Sequence, residues 1–129
     1  MGAIKNVADL RVYQLSLELL DKVYEVAYKT PHIKLRTQLI NSAESIAPLI
    51  AEGFAKKRNP KESARFYEIA MGESDEVGAH LQKAMILSRR FPRIPVDLCK
   101  ALIEDYVSLS KQLNRLTAVW HQFANNPKE

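Results

Sequence analysis

The sequence predicts an all-α protein, an up-down-up-down antiparallel four-helix bundle forming a single domain over residues 1–129. Three observations lead there. Apolar residues recur at 3–4 spacing through four long segments, the period of an α-helix. Proline-bearing punctuation closes each segment: Thr30-Pro31, Asn59-Pro60, Phe91-Pro92 with Pro95, and Asn126-Pro127. No alternating period-2 run, Asn-Gly hairpin turn or Gly-rich loop occurs, so strands are not expected. Long helices joined by short connectors pack as antiparallel neighbours.

The first helix is expected over residues 9–30, with Asp9 as its N-cap and Pro31 as its stop. Arg11, Gln14, Glu18, Glu25 and Lys29 mark its polar stripe. Two apolar stripes fill most of the rest: Val12, Leu15, Leu19, Val23 and Val26, then Tyr13, Leu17, Leu20, Tyr24 and Ala27. A helix serving one small bundle needs an apolar face only a little wider than ~100°. Part of this helix is therefore expected to meet another subunit.

The second helix, residues 33–57, places Leu35, Leu39, Ala43, Ile46, Ile50 and Phe54 on one face. Its other faces are small or neutral, and Glu44 is the one charge between Arg36 and Glu52. A helix so poor in charge is expected to be surrounded on most sides. Pro48 sits at its centre, in the stretch SIAPLIAEG. Proline removes a backbone donor and crowds the carbonyl four residues back, so a kink or break between Glu44 and Pro48 is expected. Ser45 is expected to help satisfy the freed groups. Gly53 should permit tight packing near Arg65 and Phe66, with Glu52 facing Arg65.

Asn59-Pro60-Lys61-Glu62 opens the third helix, residues 60–90. Asn59 can cap it, Pro60 fits a first turn that needs no N–H, and Glu62 can complete a capping box. Phe66, Ala70, Val77, Leu81, Ala84 and Leu87 form its core face. Gly72 and Gly78 lower its helix propensity, and close approach of a neighbouring helix is their expected use. The fourth helix, residues 95–124, carries Val96, Cys99, Ile103, Tyr106, Leu113, Leu116, Trp120 and Phe123 on one face.

With 47% apolar and 26% charged residues the chain is too hydrophobic for disorder and long enough to bury a core without staples. A single cysteine, Cys99, excludes an intramolecular disulfide and offers no paired metal-ligand spacing, which suits a reducing cytosol. The N-terminal stretch lacks the apolar core of a signal peptide. The longest weakly charged run, Thr37 to Ala51, is shorter than a membrane span and contains Gln38, Asn41, Glu44 and Pro48. A cytoplasmic protein with no membrane partner is expected.

The net charge of +4 is modest, but its distribution is not. In an antiparallel bundle the first and third connectors share one end, which gathers Lys29, Lys34, Arg36, Arg89, Arg90 and Arg93 with no acid between them. The opposite end carries Lys56, Lys57, Arg58, Lys61 and Arg65, with Glu62 the one acid. Acids concentrate mid-helix. Basic ends of this kind are candidate surfaces for phosphate, giving salt-dependent and nearly sequence-blind affinity for RNA or DNA. Plain compensation of the helix dipole is the alternative, and it suits Lys29, Lys56, Lys57, Arg89 and Arg90. Aromatic interleaving, which would favour stacking on single strands, reads as poor: Phe54, Phe66 and Tyr67 flank one patch but fall on core-facing stripes.

Catalytic chemistry finds little support. A nucleophilic triad needs Ser or Cys, His and an acid brought together. Cys99 lies on an apolar stripe, and His32, His80 and His121 lie on different elements. His32 reads as a solvated loop residue. A carboxylate-bridged metal site would draw on Glu44, Glu52, Glu73 and His80, yet Glu76-x-x-x-His80 is one residue too long for the Glu-x-x-His pairing and has no second copy. Glu52 or Glu73 is better read as a half-buried acid paired with Arg65 or hydrogen-bonded across helices. Neither a catalytic residue nor a metal nor any other cofactor is expected.

Within residues 9–87, Asp9-Leu10-Arg11-Val12-Tyr13-Gln14, then SIAPLIAEGFAKK, then Lys61-Glu62-Ser63-Ala64-Arg65-Phe66-Tyr67-Glu68-Ile69-Ala70-Met71-Gly72, occur in that order, with Glu76 following. This pattern resembles the bacterial four-helix-bundle proteins of the 23S rRNA intervening-sequence family, with their D-L-x-V-W-Q, S-I-P-x-N-I-A-E-G and R-F-x-x-I-A-x-G-S signatures. Glu52, Gly53, Arg65, Phe66 and Gly72 carry the match, and Pro48 stands one residue past the family's proline position. The chain departs from it where Ala47 stands in place of the proline, Leu49 in place of the asparagine, Tyr13 in place of tryptophan and Glu73 in place of serine. The resemblance implies a small cytosolic bundle that assembles into rings of five subunits, with no established activity and with RNA or DNA as suspected ligand. A non-enzymatic homo-oligomer binding nucleic acid through its basic ends is the leading expectation. A ring that serves as a protein–protein adaptor or scaffold is the alternative, and a carboxylate–metal enzyme is a third.

Overall fold

A computed structural model describes residues 4–126. It contains a short 3-10 turn at Val7–Asp9 and four α-helices: α1 (Arg11–Ala27), α2 (Ile33–Ala55), α3 (Pro60–Leu87) and α4 (Val96–Asn125). No strand occurs among the described residues. Each helix packs on the next in sequence, and α1 also packs on α4. The result is a four-helix bundle. No helix of the described residues is long and apolar enough to cross a membrane.

The ends of the helices differ from the sequence expectation for local reasons. Asp9 does not cap α1. Its carboxylate accepts from the backbone N–H groups of Lys5 (2.8 Å) and Asn6 (3.1 Å), closing a capping box with Asn6 around the 3-10 turn. Those N–H groups, Lys5 first, hold the Asp9 carboxyl below its ordinary range. Leu10 stands at the N-cap of α1 and gives it no side-chain cap. Lys29, Arg89 and Arg90 lie beyond the last residues of α1 and α3, in turns whose N–H groups bond back to Val26, Ile86 and Leu87. Asn59 caps α3 through Glu62 N–H (3.4 Å), and Pro60 occupies the first position, as expected. The return half of that capping box is missing because Asn59 N–H already donates to the Lys56 carbonyl at 2.7 Å. Pro127, expected to end the last helix, lies outside the described residues.

The core draws on all four helices. Val23, Val26, Leu39, Ile46, Ile50, Tyr67, Leu81, Leu102, Tyr106, Leu109 and Leu113 are all buried in it. The first apolar stripe of α1 is buried but for a half-buried Leu15, whereas Leu17 in the second stripe is 43% exposed. Phe123, expected on the core face of α4, is 47% exposed at its last turn, where it meets Trp120 edge-on. Short polar bonds tie neighbouring helices. Ser74 donates to the Tyr106 carbonyl (3.1 Å), and Ser110 donates to Asp75 (2.7 Å).

Around SIAPLIAEG the structure overturns the expected break in α2 and corrects three further expectations. α2 runs unbroken through Pro48. Pro48 and Glu44 are both exposed, so the ring projects outward and the orphaned Glu44 carbonyl lies on a face open to water. Ser45 donates instead to the Ser42 carbonyl (2.8 Å), one turn earlier. Gly53 is buried, but its close partner is Tyr67, not Arg65 or Phe66: a Cβ added there would lie 2.7 Å from the Tyr67 ring. Glu52 is exposed and makes no pair with Arg65, which instead approaches Glu62 (4.0 Å) on its own helix. Gly72 and Gly78 serve no close approach, because an added Cβ meets nothing within 4 Å at either.

Candidate functional site

The two connectors expected to share an end do come together. Tyr28, Lys29 and Pro31 of the α1–α2 connector, Arg36 of α2, and Phe91, Pro92 and Arg93 of the α3–α4 connector line one cleft of about 300 Å³. Local bonding fixes its wall. Thr30 is buried and donates to the Val26 carbonyl (2.8 Å), turning the chain out of α1. Arg36 Nε donates to the Thr30 carbonyl (3.0 Å), and its guanidinium lies 5.8 Å from the Tyr28 ring centroid. Tyr28 is 66% exposed and Phe91 40%.

A second cleft of about 390 Å³ lies on the other side of the first turn of α2. His32, Lys34 and Leu35 face Lys83, Ile86 and Arg90 across it, so an apolar floor carries a cationic rim without an acid. His32 is exposed, as expected, but it is also the N-cap of α2: its Nδ1 accepts from Leu35 N–H (3.2 Å). That bond assigns the ring proton of the neutral side chain to Nε2.

At the other connector Lys56, Lys57, Arg58, Lys61 and Arg65 are exposed. Two of these charges have partners nearby: Lys57 Nζ lies 4.4 Å from the Phe54 ring centroid, and Arg65 approaches Glu62. Among the described residues Arg65–Glu62 is the one ion pair within 4 Å. Tyr67 is buried, and Phe54 and Phe66 are half-buried, so the rings beside this patch are less open than those at the first end. The expectation of poor aromatic interleaving fails at the first end instead, where Tyr28 and Phe91 stand exposed among cations. The sequence signal is the adjacency of Tyr28-Lys29 and Arg90-Phe91-Pro92-Arg93, both in connectors and off the core stripes.

The carboxylate constellation is not assembled. Glu44 accepts a hydrogen bond from the Tyr24 phenol of α1, which pushes that phenol up to about 12. Glu52 lies exposed near the end of α2. Glu73, Glu76 and His80 line a polar cleft of about 540 Å³ with Ser42 and Ser45. Burial, then the neighbouring Glu76, raises the half-buried Glu73 carboxyl. Burial, then Lys83, lowers the His80 imidazole against the opposing pull of Glu76. Ser42 donates to Glu76 (3.3 Å), so it is not aimed at the histidine as a nucleophile would be. Among the described residues no group of three His, Cys, Asp or Glu side chains is arranged to hold a metal ion. Cys99 is fully buried, and burial pushes its thiol up to about 11, away from the thiolate that nucleophilic chemistry requires.

No similar curated protein and no similar solved structure is found for this chain. The family model described as 23S rRNA-intervening sequence protein matches residues 8–115, and the chain belongs to that family.

Proposed function

We propose that this chain is a non-enzymatic, cytoplasmic, homo-oligomeric bundle that binds RNA or DNA through its basic helix ends. The observation that carries the reading is the position of cations at the wrong end for dipole compensation. Lys34 and Arg36 occupy the opening of α2, and Lys61 the first turn of α3, where the helix dipole repels positive charge. Lys56 at the C-cap of α2, and Lys29, Lys57, Arg89 and Arg90 just past helix ends, can offset a dipole, so Lys34, Arg36 and Lys61 carry the distinction. Cations held against the local dipole and left without acidic partners favour an external anion, and the polyanion that suits many dispersed contacts is nucleic acid.

The up-down-up-down antiparallel arrangement is part of this reading. It is supported by the contacts Ser63 to Gly53 (2.8 Å) and Ser42 to Glu76 (3.3 Å), in which sequence number rises along α3 as it falls along α2. A ring of five such subunits would repeat each basic end around a rim and multiply weak contacts by avidity.

Retention of labelled RNA and DNA as salt rises is the test. Binding should fall steeply with salt. Changing Lys56, Lys57 and Arg58, or Arg89, Arg90 and Arg93, to Ala should flatten the slope by roughly 0.7–0.9 for each phosphate that the variant no longer neutralises. No retention of either polymer at low salt would defeat the reading.

A further inference from the structure

Two large aromatic side chains stand exposed in the cleft between the α1–α2 and α3–α4 connectors, although burial of each would be favourable. Three cations, Lys29, Arg36 and Arg93, share the cleft, and no acid lines it. The nearest acids along the chain, Glu25 and Asp97, form no ion pair with them. The matching end of a second copy is a poor occupant, since it would bring the same charge to the contact. A duplex would satisfy the cations but not the rings, because its bases are stacked inside. Both requirements are met by a ligand with alternating anionic groups and unpaired aromatic faces.

We propose that this cleft binds single-stranded nucleic acid, with unpaired bases stacking on Tyr28 and Phe91 and the flanking phosphates held by Lys29, Arg36 and Arg93. The proposal rests on the nucleic-acid reading above and sharpens it, assigning recognition of single strands to this end of the bundle and only diffuse phosphate attraction to the Lys56–Arg58 end. Arg36 organises the platform. Its bond to the Thr30 carbonyl holds the guanidinium near the Tyr28 ring, so ring and cation are in place before a strand arrives. Its terminal Nη groups make no hydrogen bond among the described residues and remain able to donate to phosphate. Pro31 and Pro92 stiffen both walls, lowering the ordering cost of binding.

Fluorescence anisotropy with a short labelled oligouridylate, a short oligothymidylate and a hairpin duplex tests this directly. Both single strands should bind more tightly than the duplex. Changing Tyr28 and Phe91 together to Ala should weaken single-strand binding about 30-fold or more while leaving duplex binding and the salt slope unchanged. Tyr28→Phe, which keeps the ring, should bind like the parent. Circular dichroism on the variants confirms that the helices persist. Salt-dependent binding that is equal for strand and duplex, and indifferent to the Tyr28 and Phe91 changes, overturns the stacking cleft but leaves the broader reading intact. No binding of any probe at low salt overturns both.

Discussion

At Gly53 the backbone of α2 lies against the ring of Tyr67, which fills the space a Cβ would take. Tyr67 is 1% exposed and surrounded, so the ring has nowhere to move. Ser63 closes the same spot by donating to the Gly53 carbonyl at 2.8 Å. Overpacking of about 1–3 kcal/mol should therefore exceed the roughly 1 kcal/mol that alanine gains in helix propensity. Gly53→Ala should lower the thermal midpoint, whereas Gly72→Ala, with open space around it, should raise stability by about 1 kcal/mol. A Gly53→Ala midpoint above the parent's would refute the steric assignment. That a glycine matters here is legible in the sequence. Which residue it makes room for is not, because the partner lies across a helix–helix contact that spacing along one chain does not fix.

The helices show the same division between what one strand of sequence states and what packing decides. Asn59-Pro60 marks the start of α3 because capping chemistry is local. The ends of α1 and α3 each fall three residues earlier than the pattern implies, since Lys29, Arg89 and Arg90 have good helix propensity and nothing nearby forbids them. A proline at position 48 predicts interruption, yet its effect depends on whether the face it occupies is open. On the exposed face of α2 the missing bond can be replaced by water, and the helix continues. Pro48→Ala should then restore the bond to the Glu44 carbonyl and raise stability by about 1–3 kcal/mol, read as a higher midpoint in urea. An unchanged or lower midpoint would mean that the ring contributes packing of its own. The aromatic cleft is hidden from the sequence for a related reason: Tyr28 and Phe91 lie in connectors, where no period tells inside from outside.

On the scale of the molecule, apolar surface remains to be covered. Leu17 is 43% exposed, Ile86 55% and Val107 50%, and the outer face of α2 offers Thr37, Asn41 and Pro48, with Glu44 its one charge over that span. Self-association should hide part of this surface. Light scattering should give a multiple of the 14.7 kDa chain at micromolar concentration, and Leu17→Lys should shift it toward smaller species. A monomer for the parent protein would sink the ring.

Arg36 gives the basic end one more property. The same guanidinium braces the α1–α2 connector through the Thr30 carbonyl and stands over Tyr28 in the cleft. Occupancy of the cleft and opening of the connector are therefore thermodynamically linked. A ligand that accepts only from the uncommitted N–H groups tightens the turn, and one that draws Arg36 from Thr30 loosens it. Cleft occupancy and local rigidity at Tyr28–Thr30 would then be two readouts of a single equilibrium, so a ligand bound at this end would also set how firmly α1 is joined to α2.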